Sequence, residues 1–498
     1  MTITLKNFGP IKELTMDLTK NLHLLYGESS VGKSYVAYCV YLFLSKLPDL
    51  LSQARRDIWT GDEALNSTFV EMVNNERLRV KVIQEQNSQG NGELVEVDVS
   101  QKIASLLHLA VAETFEGKLD APFQATFGNF LEELDNQYSR ERFSLTLATS
   151  EFETEFTFDI DKKILGLNRF IVKVPMIARY DATMSNTSST VGFEQERIVV
   201  RSQGSFFVPL RQYIINFVTE EFQSICSQIY FLPASRLGLY QMHTSFAPIL
   251  AELSQQRFGL QSSLQLPSLS APDADYIQHL SQVQPYDGKS QLTELAEQIE
   301  QNIMKGRIQF DERSKKITFQ PQGTKIWKEL THVSSMVAAL SPLVLFLKYV
   351  FNSSNAVFRI LPDNASPQDI IRYSRAAIML IFEEPEAHLH PTAQVKLMEI
   401  LAELTKYNVR VMLTSHSDFM FSKLGNLVLG DVIDEKDIAV YHLVMTDEGS
   451  IDAKDMHITK QEIRETNFAD VSEDLYDERL ELIEQMRNEK KGVLNGAA

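Results

Sequence analysis

Apolar residues occur along the chain in short continuous runs, which predict strands that are buried on both faces. The clearest runs are residues 23–26, 378–383, 409–414 and 438–444. An apolar helix is predicted at 35–47, and residues 391–407 begin with proline and carry apolar positions at helical spacing. Because strands that alternate with helices favour a parallel sheet, we expect an α/β fold.

The middle of the chain has a different pattern, in which apolar and polar residues alternate as they do in strands with one solvent-facing side. The predicted strands are residues 79–84, 93–97, 143–147, 152–160 and 170–174. The predicted helices are residues 212–228 and 291–304, and residues 265–288, rich in Ser, Pro, Asp and Gln, are predicted to form a surface loop. We therefore expect a strand-rich lobe and a helical insertion in this region.

The buried strands fall into two groups that lie far apart in the sequence, so the predicted parallel sheet is assembled from two segments. Residues 1–50 are predicted to form the first part of this core, and residues 306–450 the second part. The strand-rich lobe and helical insertion occupy 51–305. Residues 451–498 are predicted to be a helical tail, in which residues 472–491 have acidic residues early and basic residues late, as the helix dipole favours.

The segment between the first buried strand and the first helix has the spacing G-x-x-x-x-G-K-[ST] of a phosphate-binding loop. Its residues are Gly27, Glu28, Ser29, Ser30, Val31, Gly32, Lys33 and Ser34. In such a loop the backbone N–H groups point at the phosphates, Lys33 reaches the β- and γ-phosphates, and the Ser34 hydroxyl holds Mg²⁺. The alternative is a glycine turn beside a lysine, but the strand before and the helix after favour nucleotide binding.

Two adjacent glutamates end the buried strand at 378–383, where a nucleotide triphosphatase of this type needs acidic groups. One acidic group supports Mg²⁺, and another orients or deprotonates the attacking water. Neighbouring side chains leave a strand end in different directions, so the two tasks can be divided. We assign Glu383 to the metal and Glu384 to the water.

Four segments resemble a known family. Residues 381–391, with the sequence IFEEPEAHLHP, resemble the Walker B and D-loop segment of ABC-type ATPases of the OLD family. That family is related to the structural-maintenance-of-chromosomes (SMC) ATPases and to ATPase subunits of bacterial anti-phage systems. Residues 5–11, 230–236 and 414–417 are also similar to segments of these proteins. The resemblance implies an ABC-type P-loop ATPase head that binds ATP and Mg²⁺, with His416 as a sensor of the γ-phosphate.

The resemblance also implies a head-to-head homodimer or a higher homo-oligomer, in which two nucleotides lie between protomers. Each nucleotide is then capped by a signature segment from the other protomer, and Ser335 is the candidate for that role. Met336 stands where such segments usually have glycine, and Ser29 and Ser30 stand where the relatives often have Asn and Gly.

Bulk composition restricts the partners. The formal net charge is −18, which is not the footprint of a general nucleic-acid binder and favours protein partners. The two cysteines, Cys39 and Cys226, indicate a reducing compartment, and the N-terminus lacks a signal-peptide-like apolar run, so we expect a cytoplasmic protein. Residues 333–351 are apolar but interrupted, so we expect a buried core helix and no membrane partner.

Three functions remain open at this stage. The favoured one is the ATPase subunit of a bacterial defence system, similar to the Septu or PARIS types, that regulates a separate nuclease effector. A second is a DNA-repair or recombination ATPase that acts directly on DNA, although the net charge of −18 counts against it. A third is an ATP-gated scaffold with little hydrolysis, which the departure at Met336 favours slightly.

Other reactive side chains have simpler explanations. His388 and His390 belong to the D-loop interpretation and are not assigned as metal ligands. Ser415, His416 and Asp418 lie too close together in sequence to align as a hydrolase triad. Arg236 is either a phosphate-side arginine or a solvated loop charge, and the sequence does not separate these alternatives.

Overall fold

The structure is a computed structural model that describes most of the chain. The described residues are 1–57, 95–98, 100, 108, 117–128, 134–150, 152–159, 164–180, 189–194, 197–202, 228–244, 269–284, 290–312, 316–351, 378–460, 463–464, 476–480 and 482–483. The predicted strand 79–84 and nearly all of the predicted helix 212–228 lie outside these residues.

The strands of the described ranges are numbered in chain order. They are β1 Thr2–Phe8, β2 Ile11–Asp17, β3 Leu22–Gly27, β4 Val95–Asp98, β5 Ser144–Ala148, β6 Phe152–Asp159, β7 Ile164–Val172, β8 Met176–Tyr180, β9 Ser189–Glu194, β10 Arg197–Ser202, β11 Gln228–Leu232, β12 Gly306–Asp311, β13 Lys316–Pro321, β14 Lys328–Glu329, β15 Ile378–Glu383, β16 Val409–Ser415, β17 Ile438–Thr446, β18 Gly449–Asp452, β19 His457–Ile458 and β20 Ile463–Arg464.

The helices are numbered in the same way. They are α1 Lys33–Asp57, α2 Asp120–Phe127, α3 Ala271–Gln282, α4 Gln291–Gln298, α5 Ser335–Leu345, α6 Pro391–Leu404 and α7 Asp418–Leu429. Two π-helical segments, Ile299–Met304 and Phe346–Val350, continue α4 and α5, and 3₁₀ turns lie at Leu330–His332, Thr405–Tyr407 and Glu435–Asp437. Residues 236–244 are also helical.

One large sheet organises the molecule. Its strand order is β11-β15-β16-β3-β17-β18-β2-β1-β5-β6-β7. The first five strands are parallel, and β3 lies between β16 and β17. All six residues of β3 are buried, because neighbouring strands and both layers of helices cover it. Because β3, β15 and β16 are parallel, their carboxyl ends bring Gly27, Glu383 and Ser415 to the same edge of the sheet.

The other half of the large sheet is mostly antiparallel. It contains β1 and β2, from the segment predicted to belong to the parallel core, together with β5, β6 and β7 from the middle of the chain. Leu5 lies opposite Leu14 on one side and Leu145 on the other, and all three are buried. Smaller sheets are formed by β4-β8-β10-β9 and by β12-β13-β14.

Two hydrophobic cores lie on opposite faces of the parallel strands. One packs α1 against the parallel strands and against β1, β2, β5, β6 and β7, and the other packs α5, α6 and α7 against the parallel strands. The predicted core helix at 333–351 is confirmed as α5 and its π-helical continuation, since most of α5 and the first two residues of the continuation are buried. The α/β prediction, with a large sheet flanked by helices as in P-loop ATPases, is confirmed, while the predicted domain boundaries stay predictions.

The prediction that residues 265–288 form a surface loop is wrong in its central part. Residues Ala271–Gln282 form α3. Ser270 caps this helix, since its side chain accepts a hydrogen bond from the N–H of Asp273. Tyr276 and Leu280, one turn apart, are buried against the core. The prediction failed because the segment is mostly polar, and the helix packs on the core through only a few apolar residues.

Candidate functional site

The phosphate-binding loop joins β3 to α1 and requires glycine at two positions. Gly27 has φ +141°, and a Cβ there would lie 2.3 Å from the carbonyl oxygen of Leu443. Gly32 has φ +96°, and its Cβ would meet side-chain atoms of Pro10 and Ile11 at 2.7 Å. Ser30 adopts φ +67°, a left-handed conformation that favours glycine.

Lys33 is the first residue of α1 and is only 6% exposed. Its ammonium donates to the carbonyl oxygens of Gly27 at 2.9 Å and Glu28 at 2.6 Å. It also lies 3.4 Å from Nδ1 of His416. Burial lowers the pKa of Lys33 from 10.5 to about 8, which is the usual effect of removing an ammonium from water.

Glu383 ends β15 and is 2% exposed. Its Oε2 accepts hydrogen bonds from the Ala234 N–H and the Tyr38 hydroxyl, each at 3.3 Å. Burial raises the pKa of Glu383, and hydrogen bonds from Ser34, Ala234 and Tyr38 oppose that rise. Oε1 is buried and has no hydrogen-bond partner within the described ranges. A carboxylate with an unpaired oxygen beside the Ser34 hydroxyl is a donor set that fits Mg²⁺.

Glu384 follows β15 in a left-handed conformation, with φ +41°. Its N–H donates to the carbonyl oxygen of Thr414 at 3.0 Å, which fixes it against the end of β16. Its Oε1 lies 3.8 Å from Nε2 of His416, and both side chains are partly exposed. Burial and the nearby Lys33 charge lower the pKa of His416, and the Glu384 carboxylate opposes that shift. The predicted residues Lys33, Glu384 and His416 therefore lie together.

Glu386 is a residue of this site whose contacts were not predicted from the sequence. Its Oε1 accepts hydrogen bonds from the Ser415 hydroxyl at 2.9 Å and the His416 N–H at 2.7 Å. Burial raises the pKa of Glu386 above its ordinary value. The third acid of the run 383–386 was visible in the sequence, but its partners lie on another strand.

Arg236 matches neither of its two predicted roles. It is 1% exposed and lies beneath the strand end, with its guanidinium carbon 4.9 Å from the centre of the Phe382 ring. Its hydrogen-bond acceptors in the described structure are main-chain carbonyl oxygens, including those of Glu383 and Glu384. Burial lowers the pKa of Arg236.

Ser335 and the two D-loop histidines lie on element termini. Ser335 is the first residue of α5 and is exposed, while Ser334 caps the helix by accepting from the Val337 N–H at 3.4 Å. His390 caps α6, since its Nδ1 accepts from the Thr392 N–H at 3.3 Å. His388 is exposed, with φ +66°.

Comparisons with known proteins identify the family. A family model described as AAA ATPase domain (AAA_15) matches residues 1–421. No curated protein matches the chain. None of the described helices is long and apolar enough to cross a membrane.

Solved structures that match the chain include three SMC heads. An SMC head bound to the C-terminal winged-helix domain of ScpA has 11% identity and a TM-score of 0.38, covering 90% of this chain and 95% of that one. An SMC head from Pyrococcus furiosus, bound to the C-terminal domain of ScpA, has 11% identity, a TM-score of 0.36 and coverages of 96% and 98%. The SMC head from Thermotoga maritima has 10% identity, a TM-score of 0.33 and coverages of 90% and 96%. With TM-scores below 0.5, these likenesses support no conclusion of their own.

The family model covers residues 1–421, which is most of the chain. This protein therefore belongs to the AAA ATPase domain family and is an ATPase.

Proposed function

We propose that the ATPase holds ATP and Mg²⁺ at residues 27–34 and that Glu384 activates the attacking water. The observation that carries this proposal is the line of contacts from Lys33 to His416 at 3.4 Å and from His416 to Glu384 at 3.8 Å. A group that binds the γ-phosphate, a group that senses it and a carboxylate that can take a proton thus lie side by side.

The loop and α1 supply the phosphate contacts. Backbone N–H groups of residues 27–34 point at the phosphates, and the N-terminus of α1 adds partial positive charge. The Lys33 ammonium exchanges its contacts with the Gly27 and Glu28 carbonyls for phosphate oxygens. Ser34 and Glu383 hold Mg²⁺, which neutralises charge on the β- and γ-phosphate oxygens when it is bound.

The closed state in this proposal contains two copies of the chain. Ser335 of one copy faces the γ-phosphate that is held by the loop of the other copy. The exposed position of Ser335 at the N-terminus of an eleven-residue helix supports this role, because its hydroxyl and the first N–H groups of α5 are placed to meet an anion. The assembly is a homodimer or a higher homo-oligomer built from such pairs.

Opening and closing of this dimer regulates a protein effector, which we propose to be a separate nuclease in bacterial anti-phage defence. The support is the resemblance of residues 381–391 to the ATPases of such systems, together with a net charge of −18 that favours a protein partner over DNA. Met336, in place of glycine after Ser335, supports a second candidate, an ATP-gated scaffold that scarcely hydrolyses its nucleotide.

Phosphate release from ATP by the wild-type protein and by Glu384→Gln tests the core of this proposal. We expect turnover to fall at least a hundredfold in the variant while ATP binding is retained, because the amide cannot accept the proton of the attacking water. Glu399→Gln is a matched control, since Glu399 forms an exposed ion pair with Lys423 on α6 and α7.

Turnover that survives in Glu384→Gln would overturn the assignment of the water-activating group. Addition of duplex DNA to the same assay separates the DNA-repair alternative, which predicts salt-sensitive stimulation of turnover. ATP-dependent oligomers without phosphate release in the wild type would instead favour the scaffold.

A further inference from the structure

The Arg236 guanidinium joins two parts of the molecule that are distant in sequence. Its Nε donates to the carbonyl oxygen of Ala339 in α5 at 2.9 Å. One terminal nitrogen donates to Glu383 O at 3.1 Å and to Pro233 O at 3.2 Å, and the other donates to Glu384 O at 3.2 Å. A single side chain therefore bridges the helix that begins at Ser335 and the main chain of Glu383 and Glu384 at the end of β15.

Burial of the Arg236 guanidinium carries a desolvation penalty that the surrounding contacts have to offset. Moving a cationic side chain out of water carries a large penalty, and main-chain carbonyls compensate it only through several hydrogen bonds at once. Among the described residues, the acceptors of Arg236 are carbonyl oxygens, so no carboxylate ion pair accounts for its burial. The planar fork of the guanidinium fits this task, because it reaches several acceptors at fixed angles, which an ammonium cannot do.

The two ends of this bridge, at Ala339 and Glu384, lie close to Ser335 and to the proposed water-activating carboxylate. Ala339 is four residues after Ser335, which is about one turn or 6 Å along the helix. Pro342 provides no N–H for the carbonyl four residues earlier, so the helix ladder is weakened at this turn. At the other end, Glu384 has φ +41°, a conformation that persists only when surrounding contacts enforce it. Arg236 supplies one of those contacts.

We propose that Arg236 is a positioning residue that couples Ser335 to Glu384. When Ser335 binds the nucleotide held by a second copy, α5 and the Ala339 carbonyl are fixed in position. Arg236, which is bonded to that carbonyl, then holds the main chain at the end of β15 in the conformation that orients the Glu384 side chain. Hydrolysis in each copy thus depends on contact between its own α5 and the nucleotide bound by the other copy. This coupling rests on the two-copy site of the proposed function.

A double-mutant cycle in ATP turnover tests the coupling, with Arg236→Lys, Ser335→Ala and the combined variant. Lysine keeps the charge but cannot span the four carbonyls, so we expect kcat to fall about tenfold while the Kd for ATP changes less than about twofold. Ser335→Ala is also expected to lower kcat about tenfold, because α5 is then no longer held by the nucleotide of the second copy and Arg236 no longer holds Glu384 in place. The combined variant is expected to lose about tenfold, because both changes break the same connection.

Several results would overturn the proposal. A hundredfold loss in the combined variant would show that the two residues act independently, and unchanged kcat in Arg236→Lys would show that no bridge is needed. Ser335→Ala with unchanged turnover would overturn the two-copy site and the coupling with it. Ser341→Ala is the matched control in α5, since its hydroxyl donates to the Val337 carbonyl oxygen of the same helix at 2.7 Å and to no other acceptor among the described residues; we expect turnover within about twofold of wild type.

Hydrogen exchange provides a second measurement if Arg236→Lys does not fold. ATP is expected to slow amide exchange of residues 383–386 in the wild-type protein. This protection is expected to be lost in Ser335→Ala, because the Arg236 hydrogen bonds are intact there but α5 does not bind the nucleotide of the second copy. Equal protection in both proteins would contradict the coupling.

Discussion

The carboxylate of Glu386 accepts a hydrogen bond from the main-chain N–H of His416 at 2.7 Å. The same oxygen accepts from the Ser415 hydroxyl at 2.9 Å, so one side chain fixes the last residue of β16 and the residue that follows it. Its other oxygen is buried and has no hydrogen-bond partner in the part of the chain that the structure describes. The position of the His416 ring therefore depends on a carboxylate from the neighbouring strand end.

Removal of this contact is expected to slow hydrolysis more than it weakens nucleotide binding. In Glu386→Ala the N–H of His416 loses its acceptor, and the ring no longer keeps its position beside Glu384. We expect kcat in a phosphate-release assay to fall ten- to a hundredfold, with the Kd for ATP changed less than about threefold. Glu386→Gln keeps an acceptor oxygen and is expected to retain most of the activity. Equal losses in the two variants would contradict a role based on this acceptor.

The phosphate-binding loop makes a sharper steric prediction. Gly27→Ala places a Cβ 2.3 Å from the main-chain oxygen of Leu443 and forces φ +141° on alanine. Because β3 and β17 are locked by backbone hydrogen bonds, the loop has to move instead. We expect ATP binding, measured by calorimetry, to weaken at least tenfold.

Gly238→Ala is the matched control for that substitution. Gly238 lies in the helical segment 236–244, and a Cβ there meets no atom within 4 Å. Replacing a helical glycine by alanine reduces the conformational freedom of the unfolded chain and is expected to stabilise the protein by about 0.5–1 kcal/mol. ATP binding should be unchanged, and a loss similar to that of Gly27→Ala would show that the effect is not local to the loop.

Local sequence signals were sufficient for the parallel core and for its loop. The runs at 23–26, 378–383, 409–414 and 438–444 all correspond to parallel strands, because both faces of those strands are covered. The spacing of Gly27, Gly32 and Lys33 depends on chain geometry within eight residues, so it could be recognised without the fold. The parallel register then brings Glu384 and His416 together.

Long-range contacts were not accessible from the sequence. Arg236 lies in a segment that reads as a loop, and its burial depends on acceptors more than one hundred residues away in α5 and β15. Glu386 is recognisable as an acid, but its partners lie at the end of a different strand. The helix α3 was missed because its polar residues outnumber the few buried positions that define its inner face.

A buried ion pair links the two π-helical segments on the α5 side of the sheet. The ammonium of Lys348 lies 2.7 Å from Oε1 of Glu300, and the two side chains are 14% and 3% exposed. The same oxygen accepts from the Ile308 N–H at 2.6 Å. Lys348 was one of the residues that interrupted the apolar stretch 333–351, and this contact gives the reason for a charge in a core helix.

Lys348→Met is expected to lower the free energy of unfolding by about 3–5 kcal/mol, because it leaves the Glu300 carboxylate buried without its countercharge. The double variant Lys348→Met/Glu300→Gln removes both charges and is expected to recover at least half of that loss. Urea unfolding measures both values. A single variant no less stable than the double one would contradict the pairing.

His23 is a buried titratable group outside the nucleotide site. It is fully buried in β3, its Nε2 lies 3.1 Å from the carbonyl oxygen of Lys20, and its ring stacks on Tyr441 with centroids 6.4 Å apart. A carbonyl only accepts, so Nε2 carries the hydrogen and the neutral ring leaves Nδ1 unprotonated. Nδ1 has no hydrogen-bond partner within the described ranges. Burial lowers the pKa of His23 from 6.5 to about 4.

Stability is therefore expected to fall as the pH drops from about 6.5 to 4. In that window the unfolded chain binds a proton at His23 that the folded chain does not, and the free energy of unfolding rises with pH wherever the unfolded state binds more protons. The loss approaches roughly 3 kcal/mol at the lower end and stops once both states are protonated. Because carboxylates also titrate there, the measurement is the difference between wild type and His23→Gln in urea unfolding at pH 7.5 and 4.5. The variant, which has no proton to gain at this position, should lose less stability on acidification; equal losses would show that His23 is not the group responsible.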